Sequence, residues 1–350
     1  MRTHHIGFTL IELMIAVTLG LLAVAAVGSV FIAGSRNYKQ DDKISRMQDE
    51  LRFAMAQLTH DIEMAGFWAQ IRNPAQDITV HPSATVSTDC GPTTDGAAAT
   101  AGNNWVYNER RAALATRGNA TPSQANASFP CINTGEFMAG TDILAIKRLG
   151  NEVTSVTDEQ NGRVFLRTNG VQSVIYRQTG ATSSAVHPRT LTPTPAGDNV
   201  TVYEYRPAVW YIRKFAVDQQ NPPVPSLCRE SLAKYGAAPR MEVECLAQGI
   251  ADMQLEFGVD SDADGVPDFF VEYDAAQAPE SVLSRIVAVR VHLLARSSES
   301  DVGYVNEKTY QLASQSRGPF NDGFYRRALS TTVPLRNPIN RLIPYSLPSG

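Results

Sequence analysis

One stretch constrains this chain more than any other. From Phe8 to Gly34 the sequence is apolar except for a single ionisable residue, Glu12. A run of roughly 20 apolar residues crosses the hydrocarbon core of a bilayer as a helix. An ionisable group inside such a run costs at least ~2.5 kcal/mol on insertion scales, and its presence there points to function. Glu12 has no positive side chain near it in sequence, so it needs a cation from elsewhere. A secretory signal is cut after its apolar core. Here the polar leader Met1–Gly7 precedes the core, and a cut between Gly7 and Phe8 would leave the apolar segment on the mature chain. It would also create an α-amine on Phe8, about one helical turn from Glu12. Such an amine titrates near pH ~8 and is mostly cationic at neutrality. Between staggered copies of the helix, the amine of one would reach the carboxylate of the next. Low dielectric strengthens that pairing, while desolvation offsets part of it.

The stretch His5-Ile6-Gly7-Phe8-Thr9-Leu10-Ile11-Glu12-Leu13-Met14-Ile15-Ala16 resembles the class III leader of type IV pilins and of type II secretion pseudopilins. The resemblance implies that prepilin peptidase cuts after Gly7, that Phe8 becomes the N-methylated first residue, and that Glu12 directs subunit docking. Charge counting does not give this topology. Arg2, His4 and His5 stand on the leader side, against Arg36, Lys39, Lys43 and Arg46 on the other. The leader and the cysteines set the orientation instead, with the bulk of the chain in the periplasm.

Cys90, Cys131, Cys228 and Cys245 are an even set behind a membrane anchor, which suggests an oxidising compartment and two disulfides. Three pairings are possible. Proximity favours Cys90 with Cys131 and Cys228 with Cys245. No CxxC pair is present, so the spacing does not suit a zinc ribbon. A net charge of -4 gives no electrostatic footprint for nucleic acid.

Beyond Gly34 the helical spacing persists with a different polarity. Ile44, Met47, Leu51, Met55, Leu58, Ile62 and Ala65 form one apolar stripe. Gly66 is the expected stop. The predicted layout is a leader at 1–7, a membrane and fibre-core helix at 8–34, an amphipathic helix at 35–66, and a β-rich domain at 67–350. A loop-rich insertion is expected around 73–133, partly held by Cys90 and Cys131. Strands are predicted at Asp142–Arg148, Val164–Leu166, Val171–Tyr176, Val200–Tyr205, Val209–Phe215, Met253–Phe257, Ile286–Leu294, Tyr304–Leu312 and Phe324–Val333. The proline-bearing tail Asn337–Gly350 is expected to run extended.

The segment Trp210-Tyr211-Ile212-Arg213, then Leu227-Cys228-Arg229-Glu230, the run Gly249–Gly258 followed by an Asp-rich loop, and the closing Tyr325-Arg326-Arg327-Ala328-Leu329-Ser330-Thr331-Thr332-Val333-Pro334-Leu335-Arg336-Asn337 resemble the PilW family of minor pilins. The closing segment is also similar to J-type pseudopilins of type II secretion. This resemblance implies an α+β, pilin-like fold: a long N-terminal helix, half membrane and half amphipathic, packed on a large antiparallel β-sheet domain. It implies a minor pilin held in the inner membrane, then incorporated at or near the tip of a type IV pilus. There it would prime assembly and support twitching motility and adhesion. The implied partners are prepilin peptidase, other minor pilins, the major pilin and a tip adhesin. The alternative is a J-type minor pseudopilin.

One further motif stands apart. Asp260, Asp262, Asp264 and Asp268, with Gly265 at the turn, follow a calcium-loop pattern. The twelfth position is Val271 and Glu272 lies one further on, so the usual bidentate ligand is displaced. An acidic hairpin turn is the plainer reading. No cofactor is otherwise required. The histidines are scattered, and no nucleophile elbow, zinc-protease motif or phosphate loop occurs. His292 is expected to alternate outward from its strand as a surface or packing residue. The chain therefore reads as a structural subunit, not an enzyme.

Overall fold

The computed structural model describes residues 9–71, 74–91, 105–108, 114–154, 162–178, 200–217, 223–233, 239–272 and 285–337. Gly7, Phe8, the rest of the leader and the tail beyond Asn337 lie outside the described residues. The chain divides into two compact units, Met1–Arg46 and Met47–Gly350.

Helix α1, Leu10–Glu63, is continuous through Gly20, Gly28 and Gly34. Its first 25 residues, 10–34, span about 37 Å at ~1.5 Å per residue, enough for a bilayer core of about 30 Å. Their large side chains are exposed, from Leu10 to Ile32. The hydroxyls in this stretch turn back onto the helix. Thr18 Oγ1 donates to the carbonyls of Met14 and Ile15, and Ser29 Oγ to that of Ala26. Polar atoms satisfied within the helix are what lipid tolerates.

In the second unit Met47, Leu51, Met55, Leu58 and Ile62 of the predicted stripe are buried, with Ala54 beside them, whereas Ile44 is only partly buried. The helix ends at Glu63 and the chain turns at Gly66, whose φ of 69° a side chain would resist and whose N–H donates to the Lys147 carbonyl. The elements that follow are α2 (Pro74–Asp77), β1 (Ile78–Val80), β2 (Leu114–Ala120), α3 (Pro122–Ser128), β3 (Thr141–Ile146), β4 (Leu149–Val153), β5 (Val164–Thr168), β6 (Ser173–Arg177), β7 (Thr201–Tyr205) and β8 (Ala208–Arg213). Then come β9 (Ser226–Ala233), β10 (Arg240–Gln248), β11 (Ile250–Val259), β12 (Phe269–Glu272), β13 (Ile286–Arg296), β14 (Tyr310–Leu312), β15 (Gln315–Arg317) and β16 (Arg326–Pro334).

Three sheets result, ordered β1-β6-β5-β7-β4, β10-β9-β8-β3-β2 and β12-β11-β13-β16, with β14 and β15 as a separate hairpin. All pairs are antiparallel except β1 with β6. The fold is α+β and pilin-like, as expected. Gly249 makes the turn from β10 to β11. Its φ is 78°, and a Cβ there would lie 2.5 Å from the Arg296 carbonyl oxygen. The main core gathers Trp68, Trp105, Phe129, Phe137, Tyr205 and Tyr211.

Within the stretch 73–133, expected to be loop-rich, the described residues include regular elements. Among them are β1, β2 and α3. Thr121 and Gln124 form a reciprocal capping box on α3, with Pro122 in the first turn. Trp105, Val106 and Tyr107 are buried in the core. The strand expected over Tyr304–Leu312 shrinks to Tyr310–Leu312. The backbone N–H of Asn306 donates to the Asp322 carbonyl and its side chain to the Phe324 carbonyl, so this stretch is tied into a loop instead of a ladder. Strands β9 and β10 escape sequence reading because charged residues interrupt their alternation. Those charges pair across the ladder, as Arg229 with Glu244.

Candidate functional site

The amino-terminal end of α1 is built around Thr9 and Glu12. Glu12 lies in its first turn. The Thr9 N–H and hydroxyl both donate to Glu12 Oε2 at 2.9 Å, and the Glu12 N–H reaches back to Thr9 Oγ1 at 3.4 Å. This is a capping box. It satisfies orphan donors of the first turn and favours a negative charge at the positive end of the helix dipole. Glu12 is thus held by Thr9 within its own chain. The Thr-x-x-Glu spacing is the sequence signal for Thr9, a neutral partner beside the cation that Glu12 is expected to need. Gly7 and Phe8 precede this box.

At its other end α1 is fastened to the domain by a buried ionic knot. Asp61 occupies a position beside the apolar stripe and is 3% exposed. Arg148 Nε and Nη2 donate to its Oδ1 at 2.9 and 2.7 Å, and Trp210 Nε1 donates to its Oδ2 at 2.9 Å. Arg148 Nη1 also donates to the Leu149 carbonyl at 3.2 Å. A buried carboxylate and guanidinium persist only when paired and hydrogen-bonded, and this pair is both. Asn337 Nδ2 donates to the carbonyls of Glu63 and Ala65, so the closing segment caps the helix end. Trp210 and Tyr211 are packed in the core, as their β-strand setting suggests.

The cysteines pair as proximity favours. Cys90 bonds Cys131, and Cys228 bonds Cys245 between directly opposed residues of β9 and β10. In the acidic loop, Asp260, Asp262 and Asp268 converge, with one oxygen of each within 4.8 Å of the others. Asp264 is not in that group; its Oδ1 accepts from the Val266 N–H at 2.7 Å. Asp260 accepts from the Gly265 and Ala263 amides, and the Gly265 bond foremost holds its carboxyl below the usual range. Asp268 accepts from the Ser261 hydroxyl and amide and is likewise lowered. Asp262 accepts from the Asp264 amide. That bond lowers its carboxyl, but the Asp264 and Asp268 charges together with desolvation and Asp260 leave it raised. Glu272, one place past the twelfth position, is engaged by the Ser314 amide and hydroxyl. His292 is 8% exposed, not a surface residue; its ring nitrogens meet Glu256 and Ser330.

Two family models match the chain. Residues 2–28 match the prokaryotic N-terminal methylation motif, and residues 210–337 match type IV pilus-assembly protein W. Together they support a type IV minor pilin of the PilW family. No curated protein and no solved structure matches the chain. A pilin is a structural subunit, and its family implies contact with other pilins and with the peptidase that processes the leader. The motif and the apolar, membrane-length part of α1 are consistent with inner-membrane anchoring followed by assembly into a pilus. The second match begins at Trp210, which binds Asp61, and ends at Asn337, which caps α1.

Proposed function

We propose that this chain is a minor pilin that primes type IV pilus assembly and is incorporated at or near the tip, in support of twitching motility and adhesion. The observation that carries the reading is one carboxylate, Glu12, in the first turn of an exposed apolar helix directly behind a prepilin-type leader. In this reading the peptidase cuts between Gly7 and Phe8 and Phe8 is N-methylated. The Phe8 amine of one subunit then meets Glu12 of the next. Thr9 holds the Glu12 carboxylate while the subunit waits in the membrane, and on docking the cationic amine replaces a neutral donor. Such charge-assisted bonds are roughly twice as strong as neutral ones. The domain lies in the periplasm before assembly, a reading that the two disulfides support. The match to a pilus-assembly protein favours a pilus over a secretion pseudopilus.

Mass spectrometry of membranes and of sheared pili tests this. Replacing Gly7 with a bulky residue is expected to leave precursor of full mass. Glu12→Ala is expected to be processed yet depleted from pili. Normal processing of the first, or normal pilus content of the second, would sink the reading.

Calcium is a second element of the proposal. Asp260, Asp262 and Asp268 would be its side-chain ligands, because only these three converge. Titration calorimetry with calcium is expected to give saturable heat that Asp262→Asn removes; no heat with the unaltered chain would end this element.

A further inference from the structure

One row of side chains away from the sites already described runs from a hydroxyl through an imidazole to a carboxylate. It crosses three strands of the sheet β12-β11-β13-β16. Val291 and Leu293 of β13 are fully buried on one face of that sheet, so His292 between them lies on the other. The register sets Gln254, His292 and Ser330 side by side on β11, β13 and β16. Gln254 does not take the imidazole, because its Nε2 donates to the Gly140 carbonyl at 2.8 Å and to Asp252 Oδ1 at 2.7 Å. The diagonal neighbour Glu256 takes it instead, with Oε2 2.8 Å from His292 Nε2. On the other side Ser330 Oγ lies 2.9 Å from His292 Nδ1.

These contacts fix where the protons sit. A carboxylate oxygen accepts, so His292 Nε2 carries the ring proton. The neutral ring then offers its lone pair at Nδ1, and the Ser330 hydroxyl is the donor to it. A serine whose proton points at an imidazole lone pair, with the imidazole held by a carboxylate, is the arrangement that makes a hydroxyl nucleophilic. Burial divides the roles in the same way. His292 is 8% exposed and pinned at both nitrogens, whereas Ser330 is exposed. Thr332 follows Ser330 on the same face, and its oxygen accepts from Arg290 Nε at 3.2 Å. Its own hydroxyl proton is left to donate to an oxyanion. One neutral donor stabilises an oxyanion only weakly, which suits esters with a good leaving group and not amides.

We infer that Ser330 is an acyl-accepting serine, with His292 as its general base and Glu256 positioning the ring, and that reactive carboxylic esters are its substrates. Ser330 Oγ bonds to the ester carbonyl carbon while its proton passes to His292 Nδ1. The bond to the alcohol oxygen breaks, and that proton leaves with the alcohol. Water then attacks the acyl-serine, a proton returns through Nδ1 to Ser330 Oγ, and the carboxylic acid departs. This chemistry is independent of the pilin reading, and neither falls with the other.

The test uses the full-length chain in detergent micelles, a rhodamine-tagged fluorophosphonate and p-nitrophenyl acetate. Attack on the fluorophosphonate forms a P–O bond and expels fluoride, so the label is a covalent mass readable by tandem mass spectrometry. It is expected on Ser330, with p-nitrophenol released from the ester. Ser330→Ala, at an exposed position, should abolish both. His292→Gln should slow labelling by about 100-fold or more. Glu256→Gln should slow it by about ten-fold and alter its pH profile, which a packing role alone would not do. Absence of label on the unaltered chain, label that persists in Ser330→Ala, or an unchanged labelling rate in His292→Gln would overturn the inference.

Discussion

The two halves of α1 share a helix but not a reason for being one. Residues 10–34 are apolar on all sides, expose their large side chains, and satisfy their few hydroxyls on their own backbone. Residues 47–63 are apolar on one stripe, bury it, and set a charged residue beside it. The first half is shaped to be surrounded by lipid or by other helices. The second is shaped for one fixed neighbour. The only carboxylate of the first half is held by Thr9, a partner it can exchange. Asp61, in the second, is locked between Arg148 and Trp210. The difference lies in burial: an exposed hydrogen bond can be traded at small cost, whereas a buried ion pair cannot lose a member cheaply.

The sharpest way to break this comparison is at Asp61. Asp61→Ala strands the buried Arg148 guanidinium and should cost roughly 3–5 kcal/mol of domain stability. Urea unfolding checks it, and a loss under about 1 kcal/mol would mean the knot is not what fastens the helix. Next come matched truncations in the two halves. Leu58 is 0% exposed, and Leu58→Ala should cost about 2–5 kcal/mol. Leu21 is 65% exposed, and Leu21→Ala should leave domain unfolding unchanged within ~0.5 kcal/mol. Equal losses at both sites would erase the distinction.

The smallest expected effect is a pH dependence confined to the domain. Asp142 accepts the amides of Asn119 at 2.6 Å and Leu255 at 2.8 Å, joining two sheets. Burial, aided by the charges of Asp252 and Glu272, pushes its carboxyl up to about 7. Burial likewise pushes Glu230 up to about 7, against the Tyr211 hydroxyl bond that lowers it. A carboxyl raised in the folded state stabilises it fully below its unfolded pKa near ~4, and that contribution is lost as pH rises toward 7. The urea midpoint should therefore be higher at pH 5.5 than at pH 8, with Asp142→Asn flattening part of the slope. A midpoint that rises across this interval would contradict the assignment.

Much of the site is legible without coordinates. Glu12 stands out because a charge in an apolar run is rare. The stripe from Met47 to Ile62 is local, repeating every three or four residues, and so are the capping boxes at Thr9 and Thr121, whose Thr-x-x-Glu and Thr-x-x-Gln spacings are short-range signals. The calcium-like spacing was equally visible, but that Asp264 turns away from its neighbours depends on how the loop closes. Strands such as β9 and β10 hide in sequence because their charges face partners on the adjacent strand, and a one-dimensional pattern cannot register a pair that spans a ladder.

By itself, then, the chain's order of residues determined the prepilin-like leader pattern, the membrane-length helix, its lone acid and the amphipathic continuation. Each rests on spacing over a few turns or on composition. Only the tertiary structure decided that Asp61 meets Arg148 and Trp210, 87 and 149 residues away, that Asn337 closes the end of α1, and that β13 lies between β11 and β16. Those are contacts between distant segments, where the cost of burying a charge or leaving a backbone edge open is settled by what the fold brings alongside.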